Sequence, residues 1–324
     1  MKPKSFMAAL AAGTFALVAG ASAQEVVNYG VQPATQPIFI AKALGLLQPI
    51  EKKFNVKIEL RNFSYGAPEN QAMAAGALQI ASAGMGPAMV AAARLPVKLV
   101  AISILEQTAI LVPKDSPITS IKELKGRKVA FPGEGSQQYP LLLKALADAG
   151  LKVSDIQLFK TEGSDIPTLL KNKSVDAGIT WDPHVSNALA GGYARVLLKA
   201  EQILPIMQGH YVGNGEYARE DFIAKNPALV QALIDANVKA IDFILKDPKA
   251  AAKLWSDQIG FPIKVIDYSL DQGISVYSRN VVPEAATIGS YTKFLKDATI
   301  LRPEDNPKVD AHFAEQALRD VKAN

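Results

Sequence analysis

Residues 166–183 read IPTLLKNKSVDAGITWDP, and residues 70–87, NQAMAAGALQIASAGMGP, follow the same plan. Asn70 to Gly76 and Ile166 to Lys173 are each a short helical segment ending in a sharp turn. A buried strand follows in both places, Leu78 to Ala83 and Val175 to Thr180, with Pro87 and Pro183 just beyond. Proline suits the first turn of a helix because the amide hydrogen it lacks would have no partner there. Two copies of helix, turn, strand and proline argue for two related α/β lobes over one uninterrupted sheet.

The flanking sequence repeats this alternation. Val26 to Val31, Val56 to Leu60 and Lys98 to Ile104 read as short strands, with helical runs at Pro37 to Leu46, Pro68 to Ala75 and from Pro87 to Arg94. A second set has strands at Ala109 to Val112, Lys128 to Phe131 and Ile156 to Phe159, and a helix at Pro140 to Ala149. Strands separated by helices call for mainly parallel sheets. From Arg219 onward the pattern is mostly helical, with Asn226 and Asp247 placed as caps before prolines. This region is expected to pack back on the first lobe. The resulting division is lobe 1 at 24–108 and 205–324 and lobe 2 at 109–204, with crossovers near Ser103 to Ala109 and Leu198 to Tyr211.

Residues 1–23 read as an export signal. Lys2 and Lys4 precede an apolar run from Phe6 to Gly20, and Ala21, Ser22 and Ala23 are the small residues a signal peptidase accepts before Gln24. The mature chain, about 300 residues, is thus expected in the periplasm, with no insertion in the membrane after cleavage. Without cysteine it has no disulfide, and its core must hold it. Losing Lys2 and Lys4 takes the formal charge from +4 to +2, with no dense basic run to suggest nucleic acid.

Helix N-termini expose unpaired N–H groups and partial positive charge, so they receive anionic oxygens. Gly86 and Pro87 are one candidate contact; the same turn also suits a connection required only by the fold. Gly135, Ser136, Gln137 and Gln138 are another, although Pro140 at a helix start would leave them before the helix, as a solvated cap. Gln32 and Thr35 lie in the first loop of the mature chain. Trp181 can wall an alkyl or aromatic body, and Asp182 can fix a cationic group or cap the next helix. Tyr65 and His210 can complete the lining. Glu106, at the first crossover, suits a zwitterion better than a simple anion. Catalysis is not indicated: three histidines without a metal-like pair, no cysteine and no phosphate-loop or dinucleotide motif give no catalytic residue, metal or cofactor.

Two longer stretches, AILVPKDSPITSIKELKGRKVAF at 109–131 and LKNKSVDAGITWDP at 170–183, resemble the periplasmic solute-binding proteins of nitrate, sulfonate and taurine ABC importers. That group includes thiamine-precursor-binding homologues. The resemblance covers nearly all of the mature chain. It implies a type II periplasmic-binding-protein fold, two lobes that close on a solute, a monomer, and a membrane permease as partner. It also places Gly86 and Pro87, Gly135 to Gln138, and Trp181 to Pro183 at the ligand. The expected cargo is a small organic anion or zwitterion, a sulfonate or taurine-like compound. The alternative is a periplasmic sensor or scavenger of another organic acid or heteroaromatic nutrient.

Overall fold

Residues 24–321 are described by a computed structural model, so the export signal expected at 1–23 lies outside the described residues. Strands β1 (Glu25–Val31), β2 (Val56–Asn62), β3 (Ile80–Gly84) and β4 (Val97–Glu106) come first. They are followed by β5 (Thr108–Pro113), β6 (Lys128–Phe131), β7 (Gln157–Lys160), β8 (Ala177–Trp181) and β9 (Ala194–Lys199). The chain then adds β10 (Val212–Arg219) and the short β11 (Ser275–Val276). Two sheets result, ordered β11-β4-β10-β3-β1-β2 and β7-β6-β8-β5-β9.

The sheets are less parallel than the alternation predicts. β1 runs parallel to β2 and β3, and β6 runs parallel to β7 and β8, but β10 and β5 are antiparallel to both of their neighbours. These two strands are the ones that arrive from the other sheet. Parallel strands end at the edge facing the opposite sheet, so a strand entering across that edge starts where they finish and runs the other way. Thr108, the first residue of β5, accordingly pairs with Trp181, the last residue of β8.

Each sheet is covered on both faces. Val27, Tyr29 and Val31 of β1 share one core with Leu229, Leu233 and Ile241 of the helix Pro227–Lys246 and with Trp255 of Pro248–Ile259. The apolar residues of Pro227–Lys246 recur every three or four positions, which puts them on one helical face. Trp255 is fully buried, and its indole N–H donates to the Gln36 carbonyl at 3.1 Å, tying this helix to the loop after β1. A second core lies on the other side of the first sheet and continues under the second, with Met85, Ile110, Phe131, Leu142 and Tyr291.

Two expected caps behave differently. Asp247 accepts from Ala250 N at 3.0 Å, whereas Asn226 makes no side-chain bond at its helix start. Two prolines also sit deeper than predicted. One helix begins at Met85 and another at Gln138, so Pro87 and Pro140 occupy the third helical position. No intrahelical partner exists for an N–H there either, and both prolines are tolerated.

Gln107 alone joins β4 to β5. Glu106 and Gln107 adopt φ of 61° and 84°, a left-handed turn unusual for residues with side chains. The turn is held by its own backbone: Gln107 N–H donates to Ile274 O at 2.8 Å and its carbonyl accepts from Asp182 N at 2.7 Å. The return crossover carries the helix Ala200–Ile203 and a tight turn in which Met207 and His210 exchange backbone bonds of 2.9 and 2.8 Å.

Candidate functional site

The C-terminal ends of the parallel strands face each other across a narrow gap, the place where α/β sheets receive ligands. Gln32, Tyr65, Gly84 and Pro87 line it from the loops after β1, β2 and β3. Ser136, Gln137, Gln138 and Trp181 line it from the second sheet, and Gln107 of the crossover closes it. All of these lining residues are uncharged. The cavity measures about 10 Å³, roughly enough for one water. In this conformation the chain's own side chains fill the gap, and a larger guest requires them to move.

Gln137 is the principal filler. It is the N-cap of the helix Gln138–Asp148, and its side-chain oxygen crosses to accept from Gly86 N at 3.3 Å, in the first turn of Met85–Arg94. Two helix starts therefore meet head on. A carbonyl oxygen of the protein occupies the position that an anionic oxygen would take at the positive end of Met85–Arg94. The Gln137 amide nitrogen is buried without a partner, as is Gln107 Oε1. A buried amide donor with no acceptor is costly and gains most from an incoming ligand oxygen.

Glycine permits this approach. A Cβ on Gly84 would stand 2.8 Å from Gln137 Oε1, and one on Gly66 would stand 2.3 Å from Pro87. Trp181 seals the other side; its indole N–H donates to Pro33 O at 3.4 Å, and its ring lies against Gly163. Gln32 is anchored behind the cavity, its side-chain N–H₂ donating to Glu69 Oε2 at 2.7 Å. Burial raises the Glu69 carboxyl well above the usual range, with the nearby Glu216 adding to the shift against the Gln32 bond. Ser136 Oγ donates to Gly133 O at 2.7 Å, and Gln138 Nε2 donates to Thr108 Oγ1 at 3.1 Å.

Eight of the expected residues thus gather at the gap: Gln32, Tyr65, Gly86, Pro87, Ser136, Gln137, Gln138 and Trp181. Gly135 lies just outside, where a Cβ would meet Ala67 at 2.5 Å, on a groove of about 420 Å³. That groove shares Pro87 and Ser136 with the cavity. Larger grooves exist, but the one of about 580 Å³ between Gln138–Asp148 and Ala285–Asp297 has its acids paired to its own lysines, Lys144 to Asp148 and Lys293 to Asp297.

Four expectations are corrected. Thr35 is fully buried behind the loop, with Oγ1 3.1 Å from Ser275 Oγ and its carbonyl accepting from Tyr277 OH at 2.6 Å. Asp182 has no oxygen to spare for a cation: Ser186 donates to one, and Ser269 and Ser275 donate to the other at 2.6 and 3.1 Å. Glu106 and His210 face each other at the crossovers, away from the cavity, at 3.2 Å. Gln107, which carried no motif, was missed; Gly84 belongs to the same glycine turn as Gly86 and Pro87, which allows a close backbone approach.

Residues 32–251 match the NMT1/THI5-like family. An Escherichia coli (strain K12) protein named for binding aliphatic sulfonates is 31% identical over 87% of this chain and 86% of its own. A taurine-binding periplasmic protein of the same organism is 28% identical, over 70% and 71%. The crystal structure of the periplasmic aliphatic sulphonate binding protein SsuA from E. coli superposes with a TM-score of 0.71 at 28% identity, covering 89% of this chain and 96% of that one. A desulfurization enzyme, solved as a cysteine-to-serine mutant with biphenyl-2-sulfinic acid, shares the fold at a TM-score of 0.65 and 17% identity, over 92% and 100%. The chain is a member of the NMT1/THI5-like family.

Proposed function

We propose that this protein is the extracytoplasmic binding component of an ABC importer and that it captures a small alkanesulfonate between two closing lobes. The lobes are residues 24–108 with 205–324, and 109–204. The reading rests on one observation: Gly86 N–H, at the start of one sheet's helix, is occupied by the side-chain amide oxygen of Gln137, the residue at the N-cap position of the facing sheet's helix. A sulfonate offers its oxygens to two donors at this place, Gly86 N–H and the unpartnered Gln137 Nε2. Trp181 supplies a flat apolar wall for the alkyl body.

The uncharged lining favours an alkanesulfonate over taurine, because an ammonium group would enter the gap without a carboxylate partner. The relatives named for sulfonates and taurine support the class, and export to the periplasm fits their location. Among the described residues no helix is long and apolar enough to cross a membrane.

The same residues support a reading of binding without catalysis. The desulfurization enzyme was solved as a mutant of a cysteine, and this chain has no cysteine. The His184 ring is packed between Trp181 and Phe261, and His210 lies outside the gap.

A guest larger than water requires Gln137 to leave Gly86 and the lobes to part and reclose, so affinity is reduced by the cost of opening. Calorimetry with ethanesulfonate, taurine, nitrate and an aromatic acid tests the reading. One ethanesulfonate per chain is expected, bound at least tenfold tighter than taurine, with no product formed on long incubation. Failure of every sulfonate to bind would refute it.

A further inference from the structure

The two crossovers converge on a cluster that the sulfonate site does not use. Glu106 ends β4, Glu201 lies in the helix after β9, and His210 precedes β10. One ligand atom from each of the three lies within 4.8 Å of the other two. The His210 Nδ1 is 3.2 Å from Glu106 Oε1 and 3.5 Å from Glu201 Oε2. In sequence these residues are too scattered to form a motif, and their spacing pointed to no metal.

We propose that Glu106, Glu201 and His210 form a divalent-cation site of the zinc type that clasps the two crossovers together.

A hydrogen bond alone does not account for the arrangement. A single Nδ1 proton serves one carboxylate oxygen well, yet two oxygens converge on that nitrogen. Zinc bound at about 2.0–2.2 Å by nitrogen and carboxylate oxygen in tetrahedral geometry sets its ligands about 3.3 Å apart, close to both observed separations. Imidazole nitrogen and carboxylate oxygen are both zinc ligands, and three protein ligands leave the fourth position to water.

The surroundings favour a cation. Glu106 is almost completely buried, and the Glu201 carboxylate lies beside it, so two acids meet at one imidazole. Tyr211 N–H donates to Glu106 Oε1 at 2.7 Å and fixes that oxygen in place. The nearest competing cation is Lys199, whose Nζ is 3.7 Å from Glu201 Oε1, the oxygen turned away from His210. Lys199 is one-third exposed and free to swing into water. The tight turn from Met207 to His210 and the left-handed Glu106 hold two of the ligands on rigid backbone.

A cation here ties Glu106 of the first crossover to the helix and the tight turn of the return crossover, through Glu201 and His210. It restrains the hinge without touching the sulfonate cavity.

Zn²⁺ titration of the metal-stripped protein by calorimetry tests the proposal, with Mg²⁺ as the hard-cation control. One Zn²⁺ per chain and no response to Mg²⁺ are expected. Glu201→Gln and His210→Gln, both at partly exposed positions, are each expected to weaken Zn²⁺ binding at least tenfold with unchanged circular dichroism. His312→Gln, at an exposed histidine beside Asp310, should change it less than twofold. Co²⁺ in the unaltered protein should acquire the visible absorption of a tetrahedral site, which keeps the test decisive if a variant misfolds. Absence of Zn²⁺ binding, or binding unchanged in both Glu201→Gln and His210→Gln, overturns the proposal. Ethanesulfonate affinity measured without metal reports separately on the cleft.

Discussion

The turn after β3 and the turn after β8 start from the same sequence plan and end in opposite chemistry. After β3, Gly84 caps the helix with no side chain, and Gly86 N–H points at the gap, where its side-chain acceptor is the Gln137 amide of the other sheet. After β8, Asp182 takes the place of a bare cap. Its carboxylate accepts from Ser186 N at 3.2 Å and from three serine hydroxyls, two of them contributed by residues distant in sequence. An exposed helix start becomes a binding site when its amides are left without an internal acceptor. Where a buried carboxylate supplies that acceptor, the start becomes a staple.

The largest expected effect comes from breaking the staple. Asp182→Ala leaves the hydroxyls of Ser186, Ser269 and Ser275 without their buried acceptor and should cost roughly 3 kcal/mol in urea unfolding. Asp182→Asn keeps one acceptor oxygen and should lose less. If Asp182→Ala unfolds at the same urea concentration as the unaltered protein, the two turns do not differ as described.

Giving the first turn its own acceptor should convert it toward the second. Gln137→Glu places a carboxylate at Gly86 N–H, where the helix start favours it, and repels a sulfonate from the same place. Sulfonate binding should fall at least about 100-fold, or about 2.7 kcal/mol, while stability rises slightly. Calorimetry and thermal unfolding on one preparation separate these effects.

A smaller loss should follow from adding a single carbon. Gly84→Ala brings a methyl to 2.8 Å from Gln137 Oε1, at a backbone φ of −48° that alanine adopts freely. The methyl props the gap open without straining the turn. We expect about tenfold weaker sulfonate binding, about 1.4 kcal/mol, with little change in unfolding temperature.

The smallest effect concerns the residue that follows Pro183. His184 is packed against Trp181 and Phe261, and burial lowers its pKa to about 4. The unfolded chain binds a proton near pH 6.5, so the fold gains full benefit above that value and loses it as pH falls toward 4. At pH 5.5 the loss is about 1 kcal/mol. His184→Phe keeps the aromatic contacts and should flatten this part of the stability profile relative to the unaltered protein. Equal slopes in the two proteins would contradict the assignment.

Much of the fold was legible. Val27, Tyr29 and Val31 alternate as a strand should, and the apolar spacing of Pro227–Lys246 is helical, because both patterns record which face is buried. The antiparallel insertion of β10 was not legible. Its neighbours, β3 and β4, are distant in sequence, and no local preference reports who pairs with whom. The helix starts were misread by two residues at Pro87 and Pro140, because proline is tolerated throughout the first turn and marks no single position within it.

The site divides in the same way. Gln32, Ser136, Gln137, Gln138 and Trp181, named from loops and helix entrances, line the gap because they stand at the C-terminal ends of strands, where the chain turns toward it. Thr35 and Asp182 stand in equivalent loops and looked equally available. Their partners Ser275 and Ser269, brought from the other end of the chain, satisfy them internally. The amino-acid sequence alone determined the alternation of strands and helices, the two related halves and the supply of uncharged polar groups beside glycine turns. Tertiary structure decided which of those groups find partners within the protein and which are left facing the gap, because hydrogen-bond satisfaction depends on residues that meet only when the chain is folded.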